Sequence, residues 1–493
     1  MEIATGASLT IGPTANLTVE STIVNEAGSA GLIIDSNAEG TGSLIHYTNA
    51  VPAAFHRYIS GEPQAWQMIS SPVDNQAIAG DFTPTGGDDA YGDNTRYDFY
   101  TWHEPDTSWI YLLNDNQPPT WNTANGSNNF VPGRGYLVSY KDEHPTKTFT
   151  GDLNNGPIAV SVTKTAGEAT EFGHNLLGNP YPSSIDWKAA TGWNRNNLVS
   201  TGGGYEIWIW SETNQNYGAY NSSSASDEGT LGVSRYIAPN QGFFVKAQQS
   251  GSISMDNAVR VHQGAGNWLK NATASGRDEK IKLTVESLAG LGRDEAIVEF
   301  GHPENAAGAR KKFSFVPSAP ALFISGDETL YSIKLVGEKE KNAVLPVSFK
   351  AGETGNYKLT AETGFETFEF LELYDKRTGD RHDLKEEPTY LFQANRGDKS
   401  DRFVLQVVPG NFADPHRSLP VNMFTRQKVL HVDMRLLKGQ FLCDVYTLSG
   451  QKIANKVLYG GDVSQIDIPA AASIVIVHIS GNEGKMYKKV PVN

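Results

Sequence analysis

Cysteine is nearly absent from this sequence. The 493 residues contain one, Cys443, which excludes an intrachain disulfide, a zinc site built from cysteines and a redox pair. Cys443 lies in the run FLCDVY at 441–446, whose apolar flanks are typical of a buried thiol. We therefore expect Cys443 to be a core residue.

Long apolar runs and the common catalytic motifs are also missing. No run reaches the roughly 18 residues of a membrane-spanning helix, and the start MEIA does not begin a signal peptide. There is no phosphate-binding P-loop, no His-Glu-x-x-His and no Gly-x-Ser-x-Gly. We therefore predict no transmembrane segment and no enzymatic activity, because an enzyme would need an unrecognised arrangement of residues.

Positive charge is scarce, above all in the first half of the chain. Lys and Arg number 41 against 55 Asp and Glu, a net charge of −14. Residues 1–262 hold 11 basic and 26 acidic residues, whereas residues 263–493 hold 30 and 29. No basic patch is interleaved with aromatic residues, so we expect no nucleic-acid partner. The imbalance indicates at least two regions with different surfaces.

The composition favours β-structure. Glycine (49) and proline (24) are frequent, charged residues make up only 19% and aromatic residues 10%, which suits many short strands joined by turns. The length predicts two to four domains. The predicted fold is all-β, with the end of a β-solenoid over 1–50, a duplicated, jelly-roll-like β-sandwich region over 51–262, a second β-sandwich over 263–412 and a C-terminal immunoglobulin-like sandwich over 413–493.

The first fifty residues repeat a short unit. The segment ASLTI at 7–11 returns eight residues later as ANLTV, with looser copies GLII at 31–34 and GSLI at 42–45. Such repeats are typical of short strands stacked as solenoid rungs. Four copies are too few to bury a core alone, so we expect further rungs upstream of Met1.

Residues 51–262 contain a duplication. MISSP at 68–72 matches LLGNP at an offset of 108, YDFYTW at 97–102 matches YEIWIW at the same offset, and PGRGYLV at 132–138 matches PNQGFFV at an offset of 107. Three matches in one order predict two similar sets of strands, either as two similar β-sandwich halves or as one larger pseudo-symmetric sandwich. We call the set that contains the first member of each match the first copy, and the set that contains the second member the second copy.

The remainder of the chain alternates polar and apolar residues, which is typical of strands with one solvated face. Strands are predicted at 281–286, 296–300, 345–350, 356–360, 369–374 and 402–408, and 411–420 is predicted to be a linker. Two charged runs, RKK at 310–312 and EKEK at 338–341, are predicted to be solvated hairpin tips.

The last seventy residues resemble the C-terminal sorting domain of proteins exported by the bacterial type IX secretion system. The resemblance rests on the strand-turn-strand motif DVYTLSGQKI at 444–453, the strand IVIV at 474–477 and the terminal YKKV at 487–490. The sorting motif residues that it implies are Val445, Tyr446, Gly450, Lys488 and Lys489.

The middle of the chain resembles regions that precede such domains in large surface proteins of the same bacteria, through LLGNPYPSSIDW at 176–187 and IAPNQGFFVK at 237–246. The resemblance implies export across the outer membrane. It also implies the secretion machinery as a partner, anchoring to surface lipopolysaccharide and a location at the cell surface or in the medium. It implies no chemistry for residues 51–412.

The duplicated aromatic strands supply the candidate ligand-binding residues. Alternation places Tyr97, Phe99 and Thr101 on one face, and an acid followed by two aromatic residues on the other face, in both copies. Such a face can bind glycans, because flat rings lie against sugar C–H groups while a carboxylate accepts hydroxyl hydrogen bonds. The alternative is that the rings fill the space between two packed sheets. Further rings predicted to lie in loops are Trp109, Tyr111 and Trp121 in the first copy and Trp187, Trp193, Tyr217 and Tyr220 in the second. The candidates for ligand binding are Tyr100, Trp102, Trp109, Trp121, Trp208 and Trp210.

Carboxylates supply the other candidates. The glycine-rich segment GGDDAYGDN at 86–94 groups Asp88, Asp89 and Asp93, an oxygen-rich setting that suits calcium, although an acidic solvated loop explains it equally. A second, weaker segment is SASDEG at 224–229. A glycosidase needs only two carboxylates on either side of a bond, and the alternative is that these acids are solvated. The acids considered for that role are Glu104, Asp106, Asp186 and Glu212.

These features favour a non-enzymatic cell-surface or secreted protein for display, adhesion or ligand contact. The alternative is a carbohydrate-binding or glycosidase-type protein with an aromatic site in residues 51–262. A purely structural spacer is a third possibility, and it predicts no concave aromatic site.

Overall fold

The protein is almost entirely β-structure, with 53% of residues in strands and 5% in helices, as the composition predicts. The computed structural model describes residues 1–84, 97–114, 117–167, 169–264, 280–303, 306–326, 328–337, 343–364, 368–409, 421–435, 437–469, 474–481 and 484–492. The chain forms two compact units. The larger comprises 1–340, 346–363 and 389–403, and the smaller comprises 341–345, 364–388 and 404–493.

Short strands, mostly paired in parallel, form the beginning of the larger unit. They are β1 (Glu2–Ile3), β2 (Leu9–Ile11), β3 (Asn16–Val19), β4 (Val24–Asn25), β5 (Leu32–Ile34), β6 (Ser36–Asn37), β7 (Gly40–Thr41), β8 (Ser43–His46) and β9 (Pro52–Tyr58). β2 pairs with β5 and β5 with β9, while β3 pairs with β8, all in parallel. The predicted stacking of solenoid rungs is thus present. The eight-residue repeat, however, marks two strands of the same rung, and the looser copies are the next rung.

The duplicated region forms two sets of antiparallel strands. The first copy contains β10 (Trp66–Ile69), β11 (Asp98–His103), β12 (Ser108–Tyr111), β13 (Tyr136–Ser139) and β14 (Thr146–Asp152). The second copy contains β15 (Ile158–Val162), β16 (His174–Gly178), β17 (Ser184–Asp186), β18 (Trp193–Asn194), β19 (Ser200–Thr201), β20 (Gly204–Ser211), β21 (Asn216–Asn221), β22 (Tyr236–Ile237), β23 (Gly242–Lys246), β24 (Gly251–Met255) and β25 (Arg260–Val261).

The central sheets of the two copies have the same strand order and register. The first is β10-β13-β11-β12 and the second is β16-β23-β20-β21. Trp102 pairs with Trp109 in the first sheet, and Trp210 pairs with Tyr217 in the second, each shifted by the offset of 108. The duplication predicted from the sequence is therefore confirmed at the level of individual residue pairs.

A third sheet of the larger unit follows. Its region contains β26 (Lys280–Ser287), β27 (Arg293–His302), β28 (Gly308–Arg310), β29 (Ala321–Ser325), β30 (Leu330–Gly337), β31 (Ala343–Lys350), β32 (Gly355–Glu362) and β35 (Thr389–Ala394). From the Val347–Lys350 part of β31 the order is β31-β29-β30-β27-β26-β32-β35, and β28 lies against β30. All the strands predicted in this region are present.

The smaller unit carries the C-terminal strands. They are β33 (Phe368–Asp375), β34 (Arg381–Asp383), β36 (Phe403–Pro409), β37 (Asn422–Arg426), β38 (Val429–Asp433), β39 (Gln440–Thr447), β40 (Lys452–Tyr459), β41 (Val463–Asp467), β42 (Ile474–Gly481) and β43 (Gly484–Pro491). The sheets β37-β38-β41 and β40-β39-β42-β43 enclose a core of their own, in which Cys443 is fully buried. Burial raises the pKa of its thiol to about 12, as expected for an inert core cysteine.

Helix is limited to short segments in the described part of the chain. One α-helix, α1, spans Trp121–Asn125, and single 3₁₀ turns lie at Gly28–Gly31, Gly80–Phe82, Glu104–Asp106, Thr230–Gly232 and Asn257–Val259. None of these helices has the length or the apolar character that a membrane span requires.

The described residues of the larger unit include three hydrophobic cores that contain residues of the rungs or of the two copies. One joins the solenoid rungs to the first copy, from Ile3 to Leu153, and a second belongs to the second copy. A third core, which we call the shared core, contains residues of both copies together with Ile297, Ile333 and Leu335 of the third sheet. The four predicted domain boundaries remain predictions.

Candidate functional site

The predicted division of the aromatic strands into two faces is observed. Phe99 and Ile207 point into the cores of their own copies. Tyr100 and Trp102 in the first copy, and Trp208 and Trp210 in the second, lie at the shared core. Period-two alternation therefore assigned these side chains to the correct faces.

The second copy's aromatic face is completely covered. Trp208 and Trp210 are 0% and 1% exposed. The indole nitrogen of Trp208 donates to the carbonyl of Arg310 at 2.8 Å, and the Trp210 ring stacks on Phe315 at 4.2 Å between centroids. A bound glycan has no access to these rings, so their positions support the packing alternative.

The covering segment is β28 with residues 311–316, and it can approach closely because of a glycine. Gly308 has a φ of 98°, and a Cβ at this position would lie 1.9 Å from the carbonyl oxygen of Ile333. Its own carbonyl accepts hydrogen bonds from Thr201 and Asn221 of the second copy at 2.9 and 2.7 Å. A side chain here would push the covering segment away from β30.

Charged groups hold this cover in place. The guanidinium of Arg310 pairs with Glu206, whose Oε2 also accepts the Arg310 backbone N–H at 2.8 Å. Lys312 Nζ lies 2.5 Å from Glu171 and 4.4 Å from the centre of the Phe244 ring. Ion pairs and cation–π contacts of this kind allow cations to be buried.

The prediction that RKK at 310–312 is a solvated hairpin tip is therefore wrong. Lys311 and Lys312 are both buried, and Lys311 forms an ion pair with Asp294 in which both side chains are 0% exposed. The sequence shows three charges in a row but not the three separate carboxylates, Glu206, Asp294 and Glu171, that accept them. The run EKEK at 338–341 lies outside the described residues.

The first copy's aromatic face is only partly covered. Five rings there are each partly exposed: Trp66, Tyr100, Trp102, Trp109 and Tyr111. Neighbouring rings lie close together, with centroids 5.8 Å apart for Trp66 and Tyr100, and 5.2 Å apart both for Tyr100 and Tyr111 and for Trp102 and Trp109. We call these five rings the open ring face.

The rings predicted to lie in loops are either buried or on a strand. Trp121 is 2% exposed and its indole nitrogen donates to the carbonyl of Ser127. Trp109 and Tyr111 lie on β12 rather than in a loop. Trp187 is fully buried and donates to the carbonyl of Tyr205. Among the predicted ligand-binding residues, only Tyr100, Trp102 and Trp109 are therefore partly exposed.

The acids considered for glycosidase chemistry are engaged in holding the fold. Glu104 is buried and accepts hydrogen bonds from the backbone N–H groups of Thr165 and Gly173. Asp186 forms a two-point ion pair with Arg235. Glu212 accepts from the indole nitrogen of Trp210 at 2.9 Å. Only Asp106 is exposed, and its partner is His103 at 2.5 Å.

The predicted calcium ligands Asp88, Asp89 and Asp93 lie outside the described residues. In the weaker acidic segment, Asp227 pairs with Arg235 and Glu228 with Lys280. Within the described ranges, no three His, Cys, Asp or Glu side chains form a group that could hold a metal ion.

A polar groove that sequence reasoning missed lies between the two copies. It has a volume of about 480 Å³. One wall is the segment before β10 together with His144, and the other is the turn between β20 and β21. Its lining residues are Ser60, Gly61, Glu62, Pro63, Gln64, Ala65, Gln67, His144, Ser211, Glu212, Thr213 and Gln215. Neither wall has a sequence signature, because the groove exists only where separate loops meet.

The sorting motif residues converge on another groove, within the smaller unit. This groove has a volume of about 490 Å³, and Tyr446, Gly450, Lys488 and Lys489 line it. Gly450 has a φ of 82° in the turn between β39 and β40, a conformation that favours glycine. Val445 points the other way, into the core. Residues about forty positions apart in the sequence thus share one surface.

Comparison with known proteins gives a family without an assigned activity. A family described as a domain of unknown function, DUF8693, matches residues 1–287, which is more than half of the chain. The chain belongs to this family. No curated protein matches it. The family spans the solenoid rungs, both copies and the first strand of the third sheet.

Proposed function

We propose that the protein is a non-enzymatic, exported surface protein whose larger unit contacts ligands or other cells and whose C-terminal sandwich is read by the type IX secretion machinery. The observation that carries this proposal is the shared groove of Tyr446, Gly450, Lys488 and Lys489. A sorting signal must be readable on the folded surface, and this groove presents the motif residues together.

The arrangement of the carboxylates supports a non-enzymatic role. General acid–base chemistry requires carboxyl groups that are free to exchange protons with a substrate. Glu104, Asp186 and Glu212 instead accept hydrogen bonds from backbone, guanidinium or indole donors. Their energetic role is to satisfy buried donors.

Surface display is the direct test. The full chain, with a Sec signal peptide placed before Met1, is expressed in a bacterium that has the type IX system, and surface exposure is measured by protease digestion of whole cells. We expect the wild-type chain at the surface. The double variant Tyr446→Ala/Lys488→Ala, which changes two side chains of the groove, is expected to remain in the periplasm.

The matched control is Tyr459→Ala/Lys438→Ala, which removes an exposed tyrosine and an exposed lysine from the same sandwich away from the groove. It should reach the surface normally. If the wild-type chain stays inside the cell, or if both double variants are displayed equally, the sorting role is refuted. Circular dichroism of the purified variants shows whether each one is folded.

Carbohydrate binding is the second candidate function, and the open ring face favours it. Five partly exposed rings in adjacent positions offer the flat apolar surface that sugar rings stack on. A glycan array probed with Trp102→Ala tests this candidate. Loss of binding by a folded variant supports recognition, and unchanged binding refutes a role for this face.

A further inference from the structure

The groove between the two copies has the chemistry of a carbohydrate site. We infer that it binds an uncharged oligosaccharide through its amide, hydroxyl and carboxylate side chains. This inference rests on the ligand-contact role proposed above and names where that contact is made and with what class of ligand.

The lining groups match sugar hydroxyls in kind. Gln64 offers an amide donor and acceptor, whereas the amide nitrogens of Gln67 and Gln215 already donate within the protein. The hydroxyls that line the groove are those of Ser60, Ser211 and Thr213. The carboxylate of Glu62 is a further acceptor, whereas the carboxylate of Glu212 already accepts from Trp210 and Gln215. Neighbouring hydroxyls of a sugar each donate and accept, so a mixed lining satisfies them better than a lining of one kind.

Part of this lining is available to a ligand. Gln64, Glu62 and Thr213 are exposed, and within the described residues their side-chain polar atoms have no protein partner. The amide of Gln215, by contrast, donates to the carbonyl and carboxylate oxygens of Glu212 at 2.6 and 2.9 Å. The amide of Gln215 is thus fixed by the protein, while the side chains of Gln64, Glu62 and Thr213 face solvent.

One wall of the groove is held by hydrogen bonds of its backbone. Gln64 N–H donates to Tyr140 at 2.6 Å, His144 N–H donates to Gly61 at 3.2 Å, and the Gly61 N–H donates back to His144 Nδ1 at 3.0 Å. A site whose walls are ordered before binding loses less entropy when a ligand arrives.

Backbone strain is concentrated at the same place. Gln64, His144 and Gln215 have φ values of 65°, 48° and 53°, in the left-handed region that residues with a Cβ rarely occupy. Strained residues of this kind cluster at binding sites. Three of them lie around this one groove, on both of its walls, which is an observation independent of its polar lining.

Charge selects among ligands with hydroxyl groups. Two carboxylates and no lysine or arginine line the groove, so anionic sugars such as uronic acids are repelled. The groove is also not expected to hold a metal ion, because the described residues contain no group of three metal-ligating acids or histidines. A neutral oligosaccharide satisfies both conditions.

The test is a glycan array of neutral and uronic-acid oligosaccharides probed with the full chain, followed by calorimetry on the best neutral glycan. The diagnostic variant is Gln64→Gly, which removes the amide while keeping a residue that adopts a positive φ without penalty. Thr213→Val removes an exposed hydroxyl from the other wall. We expect each to weaken neutral-glycan binding by about tenfold, with no binding of uronic acids.

The matched control is Asn75→Gly, since Asn75 is also exposed, has a φ of 54° and lies outside the groove. Its binding should equal that of the wild type. The inference is overturned if no neutral glycan binds, or if a glycan binds equally well to Gln64→Gly, Thr213→Val and Asn75→Gly. Binding that only Trp102→Ala removes would locate recognition on the open ring face instead.

Surface display distinguishes this inference from the proposed function. The groove variants leave the C-terminal sandwich unchanged, so they should be displayed like the wild type. A displayed chain that binds no glycan overturns the groove site alone. A chain that binds glycans through the groove but is not displayed overturns the sorting role alone.

Discussion

The two copies of the duplicated sheet have the same strand order and register, yet their aromatic faces have different environments. In the second copy, β28 and residues 311–316 cover Trp208 and Trp210 completely. In the first copy, Tyr100 and Trp102 occupy the equivalent positions and stay partly exposed. The same arrangement of aromatic side chains is therefore buried in the core in the second copy and accessible to solvent in the first.

The difference shows that an aromatic strand face can be either buried core or exposed surface, so its sequence pattern alone does not indicate its function. Exposed aromatic patches mark contact sites, but exposure is decided by what else packs on the face. Here β28 and residues 311–316 cover the rings of the second copy completely. The ring centre of Trp102 in the first copy also lies 5.8 Å from Lys312 Nζ, and its indole nitrogen donates to the carbonyl of His174 at 2.7 Å, but Trp102 keeps part of its surface in solvent. The open ring face is therefore the copy of the repeated aromatic face that is not completely covered.

The largest effect is expected from truncating a covered ring. Trp210→Ala should lower the free energy of unfolding by about 4 kcal/mol, because it leaves a cavity in the shared core. The equivalent change in the first copy, Trp102→Ala, should cost about 1–2 kcal/mol, because its ring is already partly in water. Guanidinium denaturation followed by circular dichroism measures both. Equal losses would mean that the two faces are equally buried.

Removing the anchor of the cover should have the next largest effect. Lys311→Met leaves the carboxylate of Asp294 buried without its cation, which should cost about 3 kcal/mol. The cover should then loosen and make Trp208 more accessible to acrylamide in fluorescence quenching. Lys358→Met, which breaks a partly exposed pair with Glu286, is the control and should cost less than about 1 kcal/mol. A similar small loss for Lys311→Met would contradict the anchoring role.

Acid should weaken the covered copy in particular. His174 takes the position that Trp66 has in the first copy. Its pKa is held well below 6.5 by burial, together with the nearby cations Lys312, Lys246 and Arg310. The unfolded chain binds a proton below pH 6.5 while folded His174 does not. Stability is therefore fully present above pH 6.5 and falls by about 1.4 kcal/mol for each pH unit below it.

His174→Phe should remove this contribution to the pH dependence, measured as the difference in unfolding free energy between pH 7 and pH 5. His46, whose pKa is lowered to about 4 mainly by burial, contributes separately, so His46→Phe serves as the comparison and should leave the His174 contribution in place. An unchanged pH dependence in His174→Phe would show that the imidazole is not held neutral.

The smallest effect concerns a hydroxyl on the open ring face. Tyr100→Phe removes the hydrogen bond from the Tyr100 hydroxyl to Asp98 at 3.2 Å, at a partly exposed position. We expect a loss of about 0.5 kcal/mol in thermal or chemical denaturation. A loss above about 2 kcal/mol would place this side chain in a fully buried environment like that of Trp208.

Much of the fold could be predicted from patterns along the chain. The offsets of 108 and 107 identified two sets of strands, and the pairing between the strands is duplicated as well. Alternation of side chains along the strand assigned Phe99 and Tyr100 to opposite faces. The spacing of the solenoid copies was misinterpreted, because two strands of one rung repeat as regularly as two successive rungs do.

The environment of each face could not be predicted, because it depends on contacts between distant segments. Lys311 and Lys312 look solvated in the sequence, and only the positions of Asp294 and Glu171 explain their burial. The groove between the copies likewise joins Gln64 to Gln215 across about 150 residues, and neither loop has a motif that indicates binding.

Hydroxyl-radical footprinting with mass spectrometry tests the comparison of the two copies most directly, because it reports the solvent exposure of individual rings in the intact chain. The account predicts oxidation of Tyr100, Trp102 and Trp109, and protection of their equivalents Trp208, Trp210 and Tyr217. Similar oxidation of both sets would contradict it, since the third sheet would then cover neither face or both.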